Sequence, residues 1–261
     1  MCWLVQTALV DRPADPERLQ RQYSDSEGLR IRQEAHRLYG QYGGSFHEWV
    51  VKHMDVHDGM TVVDVGCGYG SYHPLLRRDG ARVVGMDRSM GMVREAADGC
   101  LAMVADAQDL PLPDACADRV GCHHMLYHVP DQAKAMRELR RIAKPGGRVV
   151  MATNGVESLS RLYEVAGQAA VEVGRDIPMR PRLPFALEDV DRVREVFRNA
   201  TVEVIASSFV FPSAEPAVRY WRSLRDEPEV ATVMHRMIDE IVRVEGSFRV
   251  PMVIGCFIAD I

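Results

Sequence analysis

Residues 62–70 read VVDVGCGYG. An apolar, β-branched run ends abruptly at Gly66, and Gly68 and Gly70 follow at alternate positions. A strand that breaks into glycines predicts a tight strand-to-helix turn, because glycine takes positive φ and lets the backbone approach a ligand that a Cβ would repel. Such a turn occurs in any doubly wound fold, so the glycine spacing and the strands beyond the turn carry the discrimination. The dinucleotide fingerprint GxGxxG needs glycine at 71, where this chain has Ser71, so the pattern is GxGxG. That demotes a nicotinamide or flavin site, whose third glycine serves close helix packing beside a pyrophosphate.

Outward from this loop, strand-like and helix-like segments alternate. Strands are expected at 60–65, 82–86, 101–104, 118–122 and 147–153. Helices are expected at 71–79, at 89–98 behind the cap candidate Ser89, and at 131–143, where Asp131 caps a stripe of Ala135, Leu139 and Ile142. Alternation of this kind implies right-handed crossovers and a parallel sheet covered on both faces, with ligands beyond the carboxyl ends of its strands. After residue 154 the rhythm changes. Helices are expected at 156–173 and 187–198 around a proline-broken connector at 177–184, then strands at 201–211 and 250–259 flanking a mostly helical 215–245 that breaks near Pro228.

Two acids stand at the ends of the second and third strands. Asp87 closes VVGMD, 21 residues beyond Gly66, where a carboxylate can accept from both hydroxyls of a ribose; Asp106 closes VAD, placed to accept from an exocyclic adenine amine with the Ala107 amide nearby. Each is also a common turn or cap residue. The fourth strand runs into GCHHMLYHVPD, residues 121–131, which packs His123, His124 and His128 together. The i,i+4 spacing of His124 and His128 would suit a metal if both lay on one helical face, but no Glu or Cys stands at a supporting spacing. Histidine titrates near neutrality, so the cluster also suits proton handling, and plain packing is the third reading.

Composition bounds the rest. The chain has 261 residues, 47% hydrophobic and 26% charged, with a net charge of −5. That is a globular protein without the basic surface that a nucleic acid or an anionic membrane demands, so a small-molecule partner is expected. No uncharged run reaches the ~18 apolar residues of a spanning helix. The N-terminal apolar stretch lacks leading basic residues and meets acids and prolines at once, against a secretion signal. Six cysteines without a CxxC pair sit mostly in apolar stretches, as expected of reduced thiols in a cytoplasm. Residues 11–34 are polar enough to be loosely held.

Taken together, VVDVGCGYG, VVGMDRS, VADAQDLPLPDACADRV and LRRIAKPGGRVVMAT, in that order, resemble the class I S-adenosylmethionine-dependent methyltransferases that act on small molecules. The resemblance covers about residues 36–154. It implies a Rossmann-like, doubly wound α/β fold with seven strands in the order 3-2-1-4-5-7-6 and an antiparallel last strand. With it come an N-terminal helical lid over residues 1–50 and a core over 51–261 carrying cap insertions near 155–185 and 212–249. It further implies S-adenosylmethionine as cofactor. Gly66, Gly68 and Gly70 would face its methionine end, with Asp64 positioning the loop, Asp87 at the ribose, Asp106 and Ala107 at the adenine, and Arg88 and His123 against the cofactor.

In the same reading KPGG at 144–147 is the turn before the fifth strand. His124 and His128 are the candidate bases. Tyr23, Tyr39 and Tyr42 in the lid, Asn154 after the fifth strand and Arg180 in the connector are candidate acceptor contacts, with Arg182, Arg219 and Arg222 as further cations for a carboxylate or phosphate. The expected activity is methylation of a small molecule, oxygen ahead of nitrogen or carbon, in a cytoplasmic protein that binds neither nucleic acid nor membrane. A homodimer stays open, and the alternatives are a nicotinamide-dependent oxidoreductase, a non-catalytic cofactor-binding protein, and a methyltransferase for tRNA or protein.

Overall fold

A computed structural model describes residues 26–177 and 183–261. Seven strands, β1 Thr61–Val65, β2 Arg82–Asp87, β3 Leu101–Val104, β4 Ala117–His123, β5 Ala143–Asn154, β6 Thr201–Phe211 and β7 Phe248–Asp260, form one sheet. Its order is β3-β2-β1-β4-β5-β7-β6. The first five strands pair in parallel, and β7 lies antiparallel between β5 and β6. Val62, Val63, Asp64 and Val65 are all buried, the near-continuous run expected of a parallel strand covered on both faces.

Nine α-helices lie among the described residues: α1 Glu27–Tyr39, α2 Phe46–Met54, α3 His73–Arg78, α4 Met90–Ala96, α5 Gln132–Ile142, α6 Ser160–Glu172, α7 Val190–Val196, α8 Ala214–Leu224 and α9 Pro228–Glu245. One core joins α1, α2, α3, α6, α8 and α9 to the face carrying Val62, Val150, Phe209 and Ile254. The other joins α5 and α7 to the face carrying Val63, Val65, Met151 and Phe257. Local signals hold as expected: Ser89 and Asp131 accept from the Met92 and Lys134 amides, and Ala135, Leu139 and Ile142 are fully buried. No described helix is long and apolar enough to cross a membrane, and Cys67, Cys100, Cys116, Cys122 and Cys256 are free thiols.

Three expectations change. KPGG lies inside β5 rather than before it. Ala143 pairs with Ala117 and Arg148 with Arg119, so residues 144–147 loop out opposite Asp118 alone, with Gly146 at φ 75°. Of residues 11–34, expected to be loosely held, 11–25 lie outside the described residues, and 27–34 are held, because α1 buries Arg32 and Ala35 and adds polar contacts to the glycine loop. His124 and His128 do not share a helical face, since His124 is left-handed at φ 55° and His128 ends a short 3-10 turn, Leu126–His128.

Candidate active site

Beyond β1 the chain reverses sharply: the Gly66 and Cys67 amides both donate to the Met86 carbonyl at the end of β2, at 2.7 and 2.9 Å. Gly66, Gly68 and Gly70 have φ of 73, 55 and 81°, where L-residues are strained. Gly68 N–H donates to Asp87 Oδ2 at 2.9 Å and Ser89 N–H to Oδ1 at 2.8 Å. Asp87 is thereby pinned by two backbone donors while each oxygen keeps a lone pair. Burial pushes its carboxyl pKa up, opposed by the bonds from Ser89 and Gly68.

Asp64, 1% exposed, faces a residue that sequence reasoning missed. His73 Nε2 stands 3.3 Å from Asp64 Oδ2, and His73 Nδ1 lies 3.1 Å from Cys100 Sγ. A Cβ on Gly70 would fall 2.5 Å from this ring and one on Gly85 2.7 Å from it. Gly85, in the interior of β2, was the available signal, because a strand glycine marks a close approach. At the end of β3, Ala107 is buried and Asp106 is exposed, holding the Gln108 backbone and side-chain N–H groups at 2.9 and 3.0 Å. Burial raises the Asp106 carboxyl, but the Gln108 bonds and nearby Arg88 outweigh it and hold the group below the usual carboxylate range. Asp87, Arg88, Asp106 and Ala107 thus share the carboxyl edge of β2 and β3.

The neighbouring edge is built of rings. His123 ends β4, 7% exposed, and neither ring nitrogen finds a hydrogen-bond partner among the described residues. An unpaired buried polar group costs about 1–3 kcal/mol. The Tyr72 ring lies 4.5 Å from His123, and His47 of α2 lies 4.4 Å from Tyr72 on its own account. His124 N–H donates to the Ala152 carbonyl at 2.8 Å and its ring meets Phe46 at 5.5 Å. His36 of α1 joins them, with Nδ1 2.6 Å from the Tyr42 hydroxyl and its ring edge-on to Phe209 at 4.8 Å. His128 is set edge-on against Tyr127 at 4.5 Å.

Burial drives His36 and His124 down to about 3, and repulsion among His36, His47, His123 and His124 adds to it. His123 falls to about 4, burial outweighing the opposing pull of Asp64, and His47 is lowered for the same reason. These imidazoles are neutral at pH 7. A general base works best with its pKa near the operating pH, so the ordinary histidine value that recommended His124 as a base does not hold in the fold. Among the described residues no three His, Cys, Asp or Glu converge on a metal geometry.

α1 covers the glycine loop. Leu29 Cδ2 lies 3.0 Å from where a Gly68 Cβ would stand, and Met125 Cγ 2.5 Å from a Gly66 Cβ. The Tyr69 hydroxyl donates to Gln33, and the Arg30 guanidinium lies 4.3 Å above the Tyr69 ring. Glu95 Oε2 on α4 receives Ser26 Oγ at 2.7 Å and Arg30 Nη2 at 3.0 Å. Tyr39 packs on Phe211 at 5.1 Å, and Asn154 ends β5 opposite Ile254. Tyr23, Arg180 and Arg182 lie outside the described residues. Arg219 pairs with Glu34 at 2.7 Å, and Arg222 lines a surface groove between α8 and α9.

Residues 63–151 run from β1 to the middle of β5. This stretch matches the family described as a methyltransferase domain. The chain is 34% identical over 120 residues to methyltransferase GfsG of Streptomyces halstedii, covering 42% of this chain and 43% of that one. It is 34% identical over 114 residues to a malonyl-acyl-carrier protein O-methyltransferase of Pectobacterium atrosepticum, covering 42% and 45%. The chain thus spans under half the length of these relatives. Its fold is shared, at 17% identity and a TM-score of 0.52, with an S-adenosylmethionine-dependent methyltransferase from Aquifex aeolicus, covering 95% of this chain and 99% of that one. The methyltransferase domain contains Asp64, the glycines, Asp87, Asp106, His123, His124 and His128. His36, Tyr42 and His47 lie before it, and Asn154 lies just after it.

Proposed function

We propose that this protein transfers the methyl group of S-adenosylmethionine to a small-molecule acceptor, oxygen ahead of nitrogen or carbon, in the cytoplasm. The observation that carries the reading is Asp87. It is a carboxylate fixed at the end of β2 by the Gly68 and Ser89 amides, with lone pairs left for two ribose hydroxyls. The residues present fit the cofactor. Gly66, Gly68 and Gly70 form a cradle whose nearest neighbours are the flexible side chains of Met125 and Leu29 and the His73 ring. Asp106 and Ala107 sit where an adenine edge needs an acceptor and an amide. Bound there, the cofactor supplies an electrophilic methyl group on a cationic sulfonium.

What the chain itself contributes is alignment and exclusion of water. α1, within a lid comprising residues 1–50, closes over the glycine loop. The helices of the 155–185 and 212–249 insertions extend the same face, and the ring cluster at the end of β4 borders the acceptor. The preference for oxygen is supported by the relative named as an O-methyltransferase. The acidic net charge, −5, argues against an RNA acceptor.

Calorimetry with S-adenosylhomocysteine tests the proposal. Two charge-assisted hydrogen bonds of about 1.5 kcal/mol each, lost in Asp87→Ala, correspond to an affinity loss of roughly 100-fold. Absence of binding to folded wild-type protein, or equal binding by the variant, overturns it.

A further inference from the structure

The acceptor end of the site carries a cluster that methyl transfer does not by itself require. His36 comes from α1, His47 from α2, and His123 and His124 from the end of β4. Ring contacts of 4.4 to 6.3 Å make two strings, His36–Tyr42–Phe46–His124 and His47–Tyr72–His123, which lie close enough for His124 to be repelled electrostatically by His36, His123 and His47. His123 is more than nine-tenths buried with both nitrogens unpartnered among the described residues. Arg32 bears on His36 from α1, Asp64 on His47, Tyr72 and His123 from β1, Tyr220 of α8 on Tyr42, and Cys256 of β7 and Tyr127 on Tyr72. Asp64 already stands against His73. The cluster is therefore a group of imidazoles bordered by the Arg32 guanidinium on one side and by the buried Asp64 carboxylate on the other.

We propose that His36, His47, His123 and His124 form the binding site for an acidic acceptor, a carboxylate or an acid of comparable strength, and that its binding draws a proton from solvent onto the cluster. The proposal rests on the methyltransferase reading and names its substrate class. Neutral imidazole offers one N–H donor, and imidazolium two. An anion placed among rings that burial alone keeps neutral favours their charged form, so binding and protonation reinforce each other. An acceptor of this class also removes the need for a base, since a carboxylate oxygen is already a nucleophile at neutral pH. That agrees with rings held at about 3 to 4, poor bases but available donors.

The test is calorimetry of the full chain loaded with S-adenosylhomocysteine, titrated with benzoate and with its neutral isostere benzamide, in Bis-Tris and in Tris at pH 7. The difference in apparent enthalpy between the two buffers counts protons taken up. Benzoate should bind at least tenfold tighter than benzamide with uptake approaching one proton. His36→Gln and His124→Asn should each weaken benzoate at least tenfold and cut the uptake, the latter because asparagine tolerates the left-handed backbone at 124. Cofactor-product affinity in both variants confirms that they fold. Equal affinities, no proton uptake, or no benzoate binding at 20 mM while S-adenosylhomocysteine binds overturns the acceptor proposal alone. Failure of S-adenosylhomocysteine itself to bind overturns the methyltransferase reading beneath it.

Discussion

Two of the polar contacts that hold α1 over the glycine loop converge on Glu95, and Glu95→Ala removes them while leaving those of Gln33 and Leu29 in place. Glu95 Oε2 accepts from Ser26 Oγ at 2.7 Å and from Arg30 Nη2 at 3.0 Å, and the Arg30 side chain is 58% exposed. A hydrogen bond to a charged acceptor contributes about 1.5 kcal/mol at the low end of its range, and an exposed ion pair about 0.5 kcal/mol. Losing about 2 kcal/mol of local closing energy raises the opening equilibrium of α1 roughly 30-fold. The assay is native-state hydrogen exchange. Protection of amides in residues 27–39 should fall by about that factor while those of β1 and β4 hold. The carboxyl pKa of Glu95 is lowered, first by the Ser26 bond and then by Arg30. Its contribution is therefore present above the ordinary glutamate value and lost as pH falls through the depressed one, so wild-type protein in acid should approach the variant. Unchanged protection in 27–39, or an equal fall across the sheet, refutes the reasoning.

Two further substitutions probe the loop and its support. Gly66→Ala places a Cβ at φ 73° and 2.5 Å from Met125 Cγ. Left-handed strain of about 1–2 kcal/mol, with displacement of Met125, should lower the melting temperature by roughly 2–8 °C in scanning calorimetry, and no change would show that the loop tolerates a side chain. Glu138 accepts from Arg141 Nε and Nη2 at 2.8 and 2.7 Å and from the Leu110 amide at 2.9 Å, steadying the segment after Ala107. Arg141 holds its carboxyl below the usual range. The contribution is thus complete above the ordinary glutamate value and vanishes as pH falls through the lowered one. Glu138→Gln should melt below wild type at pH 7, with the deficit shrinking as pH falls below the ordinary glutamate range, and a constant deficit would refute the assignment.

The sheet was legible because its signals are local. β-branched runs broken by glycines and capped helices such as Ser89–Met92 and Asp131–Lys134 depend on a few neighbouring residues. The same holds for Asp64, Gly66, Gly68, Gly70, Asp87 and Asp106, which motif spacing ties to strand ends. The acceptor side was less legible because it is assembled across the chain. His36, His47 and His124 come from three elements, and no short pattern joins positions so far apart. His124 and His128 misled by a helical spacing that the left-handed turn at His124 cancels. Residues 27–34 read as loosely held because their binding to the loop is polar, through Ser26, Arg30 and Gln33, and apolar periodicity does not register such contacts.

Because α1 carries both Leu29 over Gly68 and His36 in the ring cluster, opening it uncovers one end of the site and dismantles the other. The two consequences separate in kinetics. Apparent affinity scales with the fraction of molecules in the competent state. So long as the closed form of Glu95→Ala stays above about nine-tenths populated, equilibrium affinity for benzoate changes little. Entry of S-adenosylhomocysteine, which on our reading needs Leu29 and Met125 to swing away, scales with the open fraction instead and should quicken by up to the same roughly 30-fold. A variant that binds the cofactor product faster yet no tighter would mark α1 as the gate. One that loses affinity for both ligands in step would show that the helix is part of the binding surface and does not gate it.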